Sequence, residues 1–348
     1  MIPGGDGPRY EWRGLMLDVA RHFFPPEDVR HVVDLIAPYR FNRLHLHLTD
    51  DQGWRIEVES WPRLAAVGGA SAVGGGRGGF YTQREFRDLV AYADAHGVVI
   101  VPEVDLPGHV NAALVAYPEL ASAAVTPVPH TGMEVGFSSL DTSSERALRF
   151  VDDVVGEVAA LTSGEYLHIG GDEAAATPPD AYAAFVARAC ELVRTHGKTP
   201  VGWEEVAKAS LPPGTLVQHW KDEGLARAAA AQGARLIMSP ARHAYLDQKY
   251  DESTPLGLEW AGHVTLRDAY EWEPGDVLGV EAALWTETLA TRPDVEFMLF
   301  PRLLATAEVA WARGAREWEA FRPRAAAEAA ALGRNGVNVF RSPELGDP

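Results

Sequence analysis

The sequence predicts an α/β protein folded as a (β/α)8 barrel, and three observations carry that reading. Short apolar runs alternate with longer stretches of helical period along the whole chain, the signature of repeated βα units around a parallel sheet. The runs number eight. Three of the connections after them far exceed the ~2 to 6 residues usual in βα loops, and long loops of this kind build one barrel face into a cleft. A plain barrel uses ~250 residues. The chain has 348, and the long loops account for the surplus, so residues 1–348 read as one catalytic barrel domain.

The first run, residues 14–19 (GLMLDV), precedes PPEDVRHVVDLIAPY, whose leading prolines suit a helix start. Residues 43–48 (RLHLHL) alternate with period two and lead into the first long connection, residues 50–81. The next helical stretch, TQREFRDLVAYADAHG, opens on Thr82 and stops at Gly97, a cap signal at each end. Residues 98–104 (VVIVPEV) are the third run, and a second long connection, 105–144, leads to the helical pattern SERALRFVDDVVGEVAALT. The fourth run, 166–170 (YLHIG), ends in glycine, whereas the fifth and sixth, 200–203 (PVGW) and 216–220 (LVQHW), end in tryptophan. Residues 235–238 (RLIM) and 277–285 (VLGVEAALW) are the seventh and eighth, with the third long connection, 239–276, between them.

Composition narrows the function. Apolar residues make up 47% and charged residues 23% of the chain, a profile with ample material for a core. The charge balance, 31 basic minus 49 acidic residues, is −18. That field repels nucleic acid and anionic lipid and accepts a neutral substrate. The single cysteine, Cys190, excludes an intrachain disulfide and a thiolate metal cluster. The N-terminal MIPGGDGPRYEW lacks the basic start and apolar run of a signal peptide, and no stretch reaches the ~18 apolar residues of a membrane span, so the chain reads as cytoplasmic. The glycine-rich patch GGGRGGF at 74–80 has no strand before it and no Lys-Ser/Thr pair after it. It reads as a flexible loop near the cleft rather than a phosphate cradle.

The strongest chemical signal is LHIGGDEAA, where a strand runs into two glycines and delivers Asp172 and Glu173 side by side. Adjacent carboxylates repel, so in a partly dry cleft one pKa rises and a carboxylic acid stands beside a carboxylate at neutral pH. The plainer alternative makes Asp172 a helix N-cap. In HLHLTDDQGW, His45 and His47 share one face of a strand, the way metal-dependent amidohydrolases begin a binuclear site. That rival class needs a later bridging lysine, but Lys198, Lys208, Lys221 and Lys249 are the only lysines and none lies on the fourth strand beside His168. The histidines therefore read as a hydrogen-bonded polar layer inside the barrel, with neither metal nor other cofactor. Trp203, Trp220 and Trp285 all lie where strands end, and with Tyr245 they suggest an aromatic box; sugars fit, since their C–H faces stack on rings while Arg13, Asp247 and Glu287 take the hydroxyls.

Taken in order, RGLMLDVARHF from Arg13, HLHLTDDQGWR from His45, PEVDLPGH through Glu103, HIGGDE from His168, GWEE from Gly202, AYLD from Ala244 and LWTE from Leu284 closely resemble family 20 of the glycoside hydrolases, the β-N-acetylhexosaminidases. The resemblance runs from about Arg13 to about Trp311 and implies a TIM barrel. It also implies exo-acting, substrate-assisted, retaining hydrolysis of terminal β-GlcNAc or β-GalNAc, in which the substrate's acetamido oxygen replaces an enzyme nucleophile. On this pattern Asp172 orients the acetamido group, Glu173 is the acid and then the base, and Tyr245 bonds the acetamido oxygen. Trp203, Trp220 and Trp285 wall the acetamido methyl, Arg13, Asp247 and Glu287 hold hydroxyls, and Asp50 with His109 tune Glu173. Relatives commonly carry an α+β domain ahead of the barrel, whereas 12 residues precede Arg13 here, and the expectation is a surface left exposed or used for self-association. The other readings are a same-fold glycosidase releasing a disaccharide, against which Arg13 and Glu287 speak, and a silent sugar-binding protein, against which the presence of Asp172, Glu173 and Tyr245 speaks.

Overall fold

The computed structural model describes residues 7–122 and 124–346; residues 1–6, half of the stretch read above for a leader, lie outside it. Among the described residues, β1 (Trp12–Asp18), β2 (Arg43–His47), β3 (Val99–Glu103), β4 (Tyr166–His168), β5 (Thr199–Trp203), β6 (Leu216–His219), β7 (Arg235–Met238) and β8 (Gly279–Leu284) close in sequence order into a barrel. Every neighbouring pair is parallel, including the closing pair β1 and β8. All eight expected strands are present, with ends shifted by a residue or two. β4 stops at His168 because Gly170 and Gly171 follow with φ of 67° and 98°, outside the strand region.

The helices are α1 (Pro26–Ile36), α2 (Gln83–Ala95), α3 (Asn111–Ala116), α4 (Glu145–Leu161), α5 (Pro179–Thr195), α6 (Glu223–Ala231), α7 (Ala241–Ala244), α8 (Leu266–Tyr270), α9 (Arg292–Leu299), α10 (Arg302–Trp311) and α11 (Trp318–Arg334). Their local causes are legible. Pro26 opens α1 at its first helical position, and the Thr82 hydroxyl accepts the Glu85 amide while the Glu85 carboxylate takes the Thr82 amide at the start of α2. The alternation lapses after β5, where a 3-10 turn at Glu204–Lys208 replaces a full helix, and after β7, where only short α7 and α8 fall within the long connection. No helix among the described residues is long and apolar enough to cross a membrane.

The core lies in two places. Outside the barrel, side chains such as Leu15, Leu44, Ile100 and Leu167 meet the inner faces of the helices in one continuous apolar cluster. Inside, side chains stack in layers. Trp12, Val101, Val201, Leu216 and Ile237 fill the bottom. A polar layer of His45, Glu103, His168, Gln218 and Glu281 follows, all buried, and Met16, Trp203, Trp220, Tyr245 and Trp285 form an aromatic layer at the top. Gly14 has no side chain because the Glu281 carboxylate fills the space a Cβ would take.

Candidate active site

Two glycines aim the carboxylates. Gly171 donates its amide to Asp105 Oδ1 at 3.0 Å, and a Cβ on Gly170 would collide with that same carboxylate. The chain then swings through Glu173 with φ at 46°, a left-handed conformation that costs a residue bearing a side chain about 1–3 kcal/mol and persists where the surroundings dictate it. Among the described residues no amide donates to the Asp172 carboxylate, and the next helix, α5, starts only at Pro179, so Asp172 is not a helix cap. Burial and the Asp172 charge raise Glu173 above the usual carboxylate range.

Behind the pair lies a hydrogen-bonded arm. His109, also left-handed at φ 53°, places Nε2 3.7 Å from both Asp172 Oδ2 and Glu173 Oε2. Its Nδ1 faces Asp50 Oδ1 at 3.2 Å. The other Asp50 oxygen meets His47 Nε2 at 2.7 Å and Arg21 Nη2 at 2.9 Å. Burial works to raise Asp50, but Arg21 and His109 hold it well below the ordinary carboxylate range. Burial works to lower His109, and Asp50, Asp172 and Asp105 overcome it. Asp105 itself is pushed well up by burial and by Asp172.

The aromatic layer forms the wall opposite. Trp220 and Tyr245 stack nearly parallel, 10° apart with centroids at 6.2 Å, and Trp285 tilts against Tyr245 at 6.1 Å. Trp203 packs behind Trp285 at 5.8 Å. The GWEE acids set Trp220: Glu204 accepts its amide at 2.9 Å and Glu205 accepts its indole Nε1 at 3.1 Å. Tyr245 pairs in parallel with Ala283 of β8, so Tyr245 and Asp247, two residues apart on an extended segment, point the same way. Trp285 and Glu287 repeat that spacing just past β8.

These walls enclose a cavity of about 220 Å3, lined by Arg21, Asp172, Glu173, Asp247 and Glu287 together with the rings of Trp220, Tyr245 and Trp285. Pockets for drug-sized ligands span ~300–1,000 Å3, so this one suits a single small ring. Four buried atoms on its lining, Asp172 Oδ1, Asp247 Oδ1, Glu287 Oε2 and Trp285 Nε1, make no hydrogen bond within the protein. Such atoms are costly unless a ligand uses them. Burial and Glu287 push Asp247 up to about 8, which leaves it able to donate as well as accept.

Residues 10–181 and 175–314 match the glycosyl hydrolase family 20 catalytic domain. The chain belongs to glycosyl hydrolase family 20. A β-N-acetylhexosaminidase of Cellulomonas fimi is 48% identical, the alignment covering 99% of this chain and 72% of the relative. A β-hexosaminidase of Porphyromonas gingivalis is 36% identical over 89% of this chain, which spans only 44% of it. Among solved structures, the family 20 β-N-acetylhexosaminidase of Streptomyces coelicolor A3(2) superposes with a TM-score of 0.95 at 46% identity, covering 98% of this chain and 72% of the other. A mutant Streptomyces plicatus β-hexosaminidase in complex with product GlcNAc gives 0.95 at 47%, with the same coverage.

Of the residues expected from sequence, this family 20 barrel brings Asp172, Glu173, Trp220, Tyr245, Asp247, Trp285 and Glu287 to the cavity. Asp50 and His109 lie just behind it, and Trp203, 1% exposed, backs the box rather than surfacing in it. Arg13 is a correction. It sits at the start of β1, the opposite end of the barrel, where its Nε donates to Arg40 O at 2.8 Å, its Nη1 to Tyr10 O at 2.9 Å, and its guanidinium lies over the Trp311 ring. Arg21 takes the place assigned to it. The Asp18 carboxylate at the end of β1 accepts the Ala20 and Arg21 amides at 2.8 and 3.0 Å and so turns the chain that carries Arg21 into the cavity. The signal was available, because RGLMLDVARHF holds two arginines and only the second follows the strand's C-terminal end.

Donor sets that could hold a metal exist, among them His45, Glu103 and His168, and Asp105, His109 and Asp172. In the first set each residue already has a protein partner: His45 Nδ1 meets Glu281 Oε1 at 2.9 Å, His168 Nδ1 accepts the Gly170 amide at 3.0 Å and Glu103 Oε1 accepts the Trp203 indole N–H at 2.9 Å. The second set belongs to the carboxylate relay. Activity is accordingly expected to survive exhaustive EDTA treatment; loss that added Zn²⁺ or Mn²⁺ reverses would return the amidohydrolase reading.

Proposed function

We infer that the chain is an exo-acting β-N-acetylhexosaminidase that releases terminal β-linked GlcNAc or GalNAc with retention of configuration. One observation carries the reading: Asp172 and Glu173 open together onto a one-ring cavity whose far wall is Trp220, Tyr245 and Trp285. Glu173, raised by burial and Asp172, holds a proton for the leaving oxygen. The acetamido methyl seats against the rings, the Tyr245 hydroxyl donates to the acetamido oxygen, and Asp172 takes the acetamido N–H, sharpening that oxygen as the nucleophile on the anomeric carbon. The bond to the aglycone breaks as Glu173 delivers its proton. Glu173, now a carboxylate, removes a proton from a water that attacks the anomeric carbon from the face the aglycone left, breaking its bond to the acetamido oxygen, so that two inversions give net retention. Arg21, Asp247 and Glu287 converge from the other side to hold the ring hydroxyls, and a cavity of about 220 Å3 suits one terminal sugar.

Substrate choice tests this. Chromogenic β-GlcNAc or β-GalNAc is expected to be hydrolysed on the order of 10³-fold or more faster than the matching β-glucoside, which lacks the internal nucleophile, and NMR is expected to show the β-anomer first. Comparable rates on the glucoside, or an α-product, would overturn the mechanism. Because Glu173 must be protonated for the first step and its folded pKa is raised, kcat/KM holds above the usual carboxylate range and falls as pH rises through that raised value.

A further inference from the structure

The polar layer under the site contains a carboxylate that the mechanism above does not use. Glu103 is fully buried at the end of β3. Its Oε1 accepts the indole N–H of Trp203 at 2.9 Å. Its Oε2 faces His47 Nδ1 at 2.7 Å and His45 Nε2 at 2.9 Å. Both partners lead to the site: Trp203 backs the aromatic box against Trp285, and His47 presents its other nitrogen to Asp50, which holds His109 and Arg21.

We propose that Glu103 is a positioning residue for the hydrolysis, one oxygen fixing the Trp203 ring behind the acetamido wall and the other fixing His47 and through it Asp50. This rests on the hexosaminidase reading. A neutral residue of similar shape would not do the same. The charged and titratable groups around Glu103 are His45 and His47 from β2, His168 from β4 and Asp105 just beyond β3, with Glu281 of β8 on the far side of His45. Burial opposes a charge on His45 and His47, and Glu103 is the first of the groups that reverse this, raising His45 to about 9. His168, whose Nδ1 accepts the Gly170 amide at 3.0 Å, is lowered by burial and stays neutral. Glu103 first and Asp50 with it therefore keep His47 a donor to both carboxylates, and a tryptophan N–H bonded to a fixed charged acceptor cannot turn out of the box wall.

The test is Glu103→Gln, measured on N-acetyl and N-propionyl glucosaminides across pH. The expected result is a fall in kcat/KM of about tenfold or more and a several-fold loss of the preference for acetyl over propionyl, since one methylene in a tight pocket is worth ~10-fold or more. The alkaline limb of kcat/KM, set in the wild type by Glu173, is expected to move to lower pH by about half a unit or more, because His47 without the Glu103 charge beside it deprotonates before Glu173 does and becomes the limiting loss. A purely structural role would lower the amount of active enzyme and move neither the acyl preference nor the limb; that outcome overturns the proposal. Should Glu103→Gln fail to fold, Trp203→Phe and His47→Gln divide the two arms, the first expected to alter acyl preference and the second the limb, and absence of either change overturns it. A wild-type enzyme inactive on the N-acetyl substrate would instead refute the underlying function.

Discussion

Glu173→Gln is expected to cut kcat/KM by ~10²- to 10⁴-fold, the usual worth of general acid–base catalysis, on a substrate whose leaving group is a sugar, and far less on a nitrophenyl glycoside, whose leaving group needs little protonation. Asp172→Asn is expected to cost about 2 to 4 kcal/mol in transition-state stabilisation, as loss of a preorganised electrostatic group does, by a similar factor for both leaving groups. The contrast follows from geometry. Both carboxylates stand 3.7 Å from the same His109 nitrogen, but only Glu173 has a side chain substantially open to the cavity mouth, at 36% against 10% for Asp172. Equal leaving-group sensitivity in the two variants would mean that the roles are misassigned.

The second large effect separates two arginines. Arg21→Lys is expected to lower kcat/KM on the order of 10- to 100-fold, since hydrogen bonds from a charged group are worth ~1.5–3 kcal/mol and lysine cannot reproduce the planar fork. Lysine is chosen to keep the charge. Arg21 lies within 3.4 Å of Asp18 and 2.9 Å of Asp50, and removing a buried cation from such a pair costs ~3–5 kcal/mol of stability, so Arg21→Ala would confuse folding with binding. Arg13→Ala, at the far end of β1, is expected to leave kcat/KM within about twofold. A larger loss at Arg13 than at Arg21 would restore the assignment made from sequence.

The difference between those arginines shows where a sequence stops being readable. Strands announce themselves because apolar runs and β-branched residues report local preference, and HIGGDE is legible because two glycines before two acids have few uses in a barrel. Which end of a seven-residue strand a residue occupies depends on where hydrogen bonding begins, and β1 starts at Trp12, two residues before its apolar run. Glu103 and Glu205 were illegible for another reason. Each looks like an ordinary acid in its own segment, and only barrel closure brings Glu103 to Trp203, 100 positions away, at 2.9 Å. Asp105 likewise acquires its meaning from Gly171, a partner no spacing rule connects to it.

Two fully buried arginines that line no part of the cavity hold the segments that do. Arg302, fully buried on α10, donates to the carbonyls of Gln248 and Val264 at 2.7 and 2.8 Å and of Leu246 at 2.7 Å, pinning the segment that carries Tyr245 and Asp247. Arg55 does the same for the loop after β2, bonding Val19 O at 3.1 Å, Gly69 O at 3.1 Å and Ser71 O at 2.7 Å, and so clamps the turn just ahead of Arg21. Walls built from irregular chain are thereby tied by buried side-chain hydrogen bonds where a strand would have its ladder. The ordering entropy is met once, on folding, instead of in every catalytic cycle. Such a socket selects by refusing what does not fit.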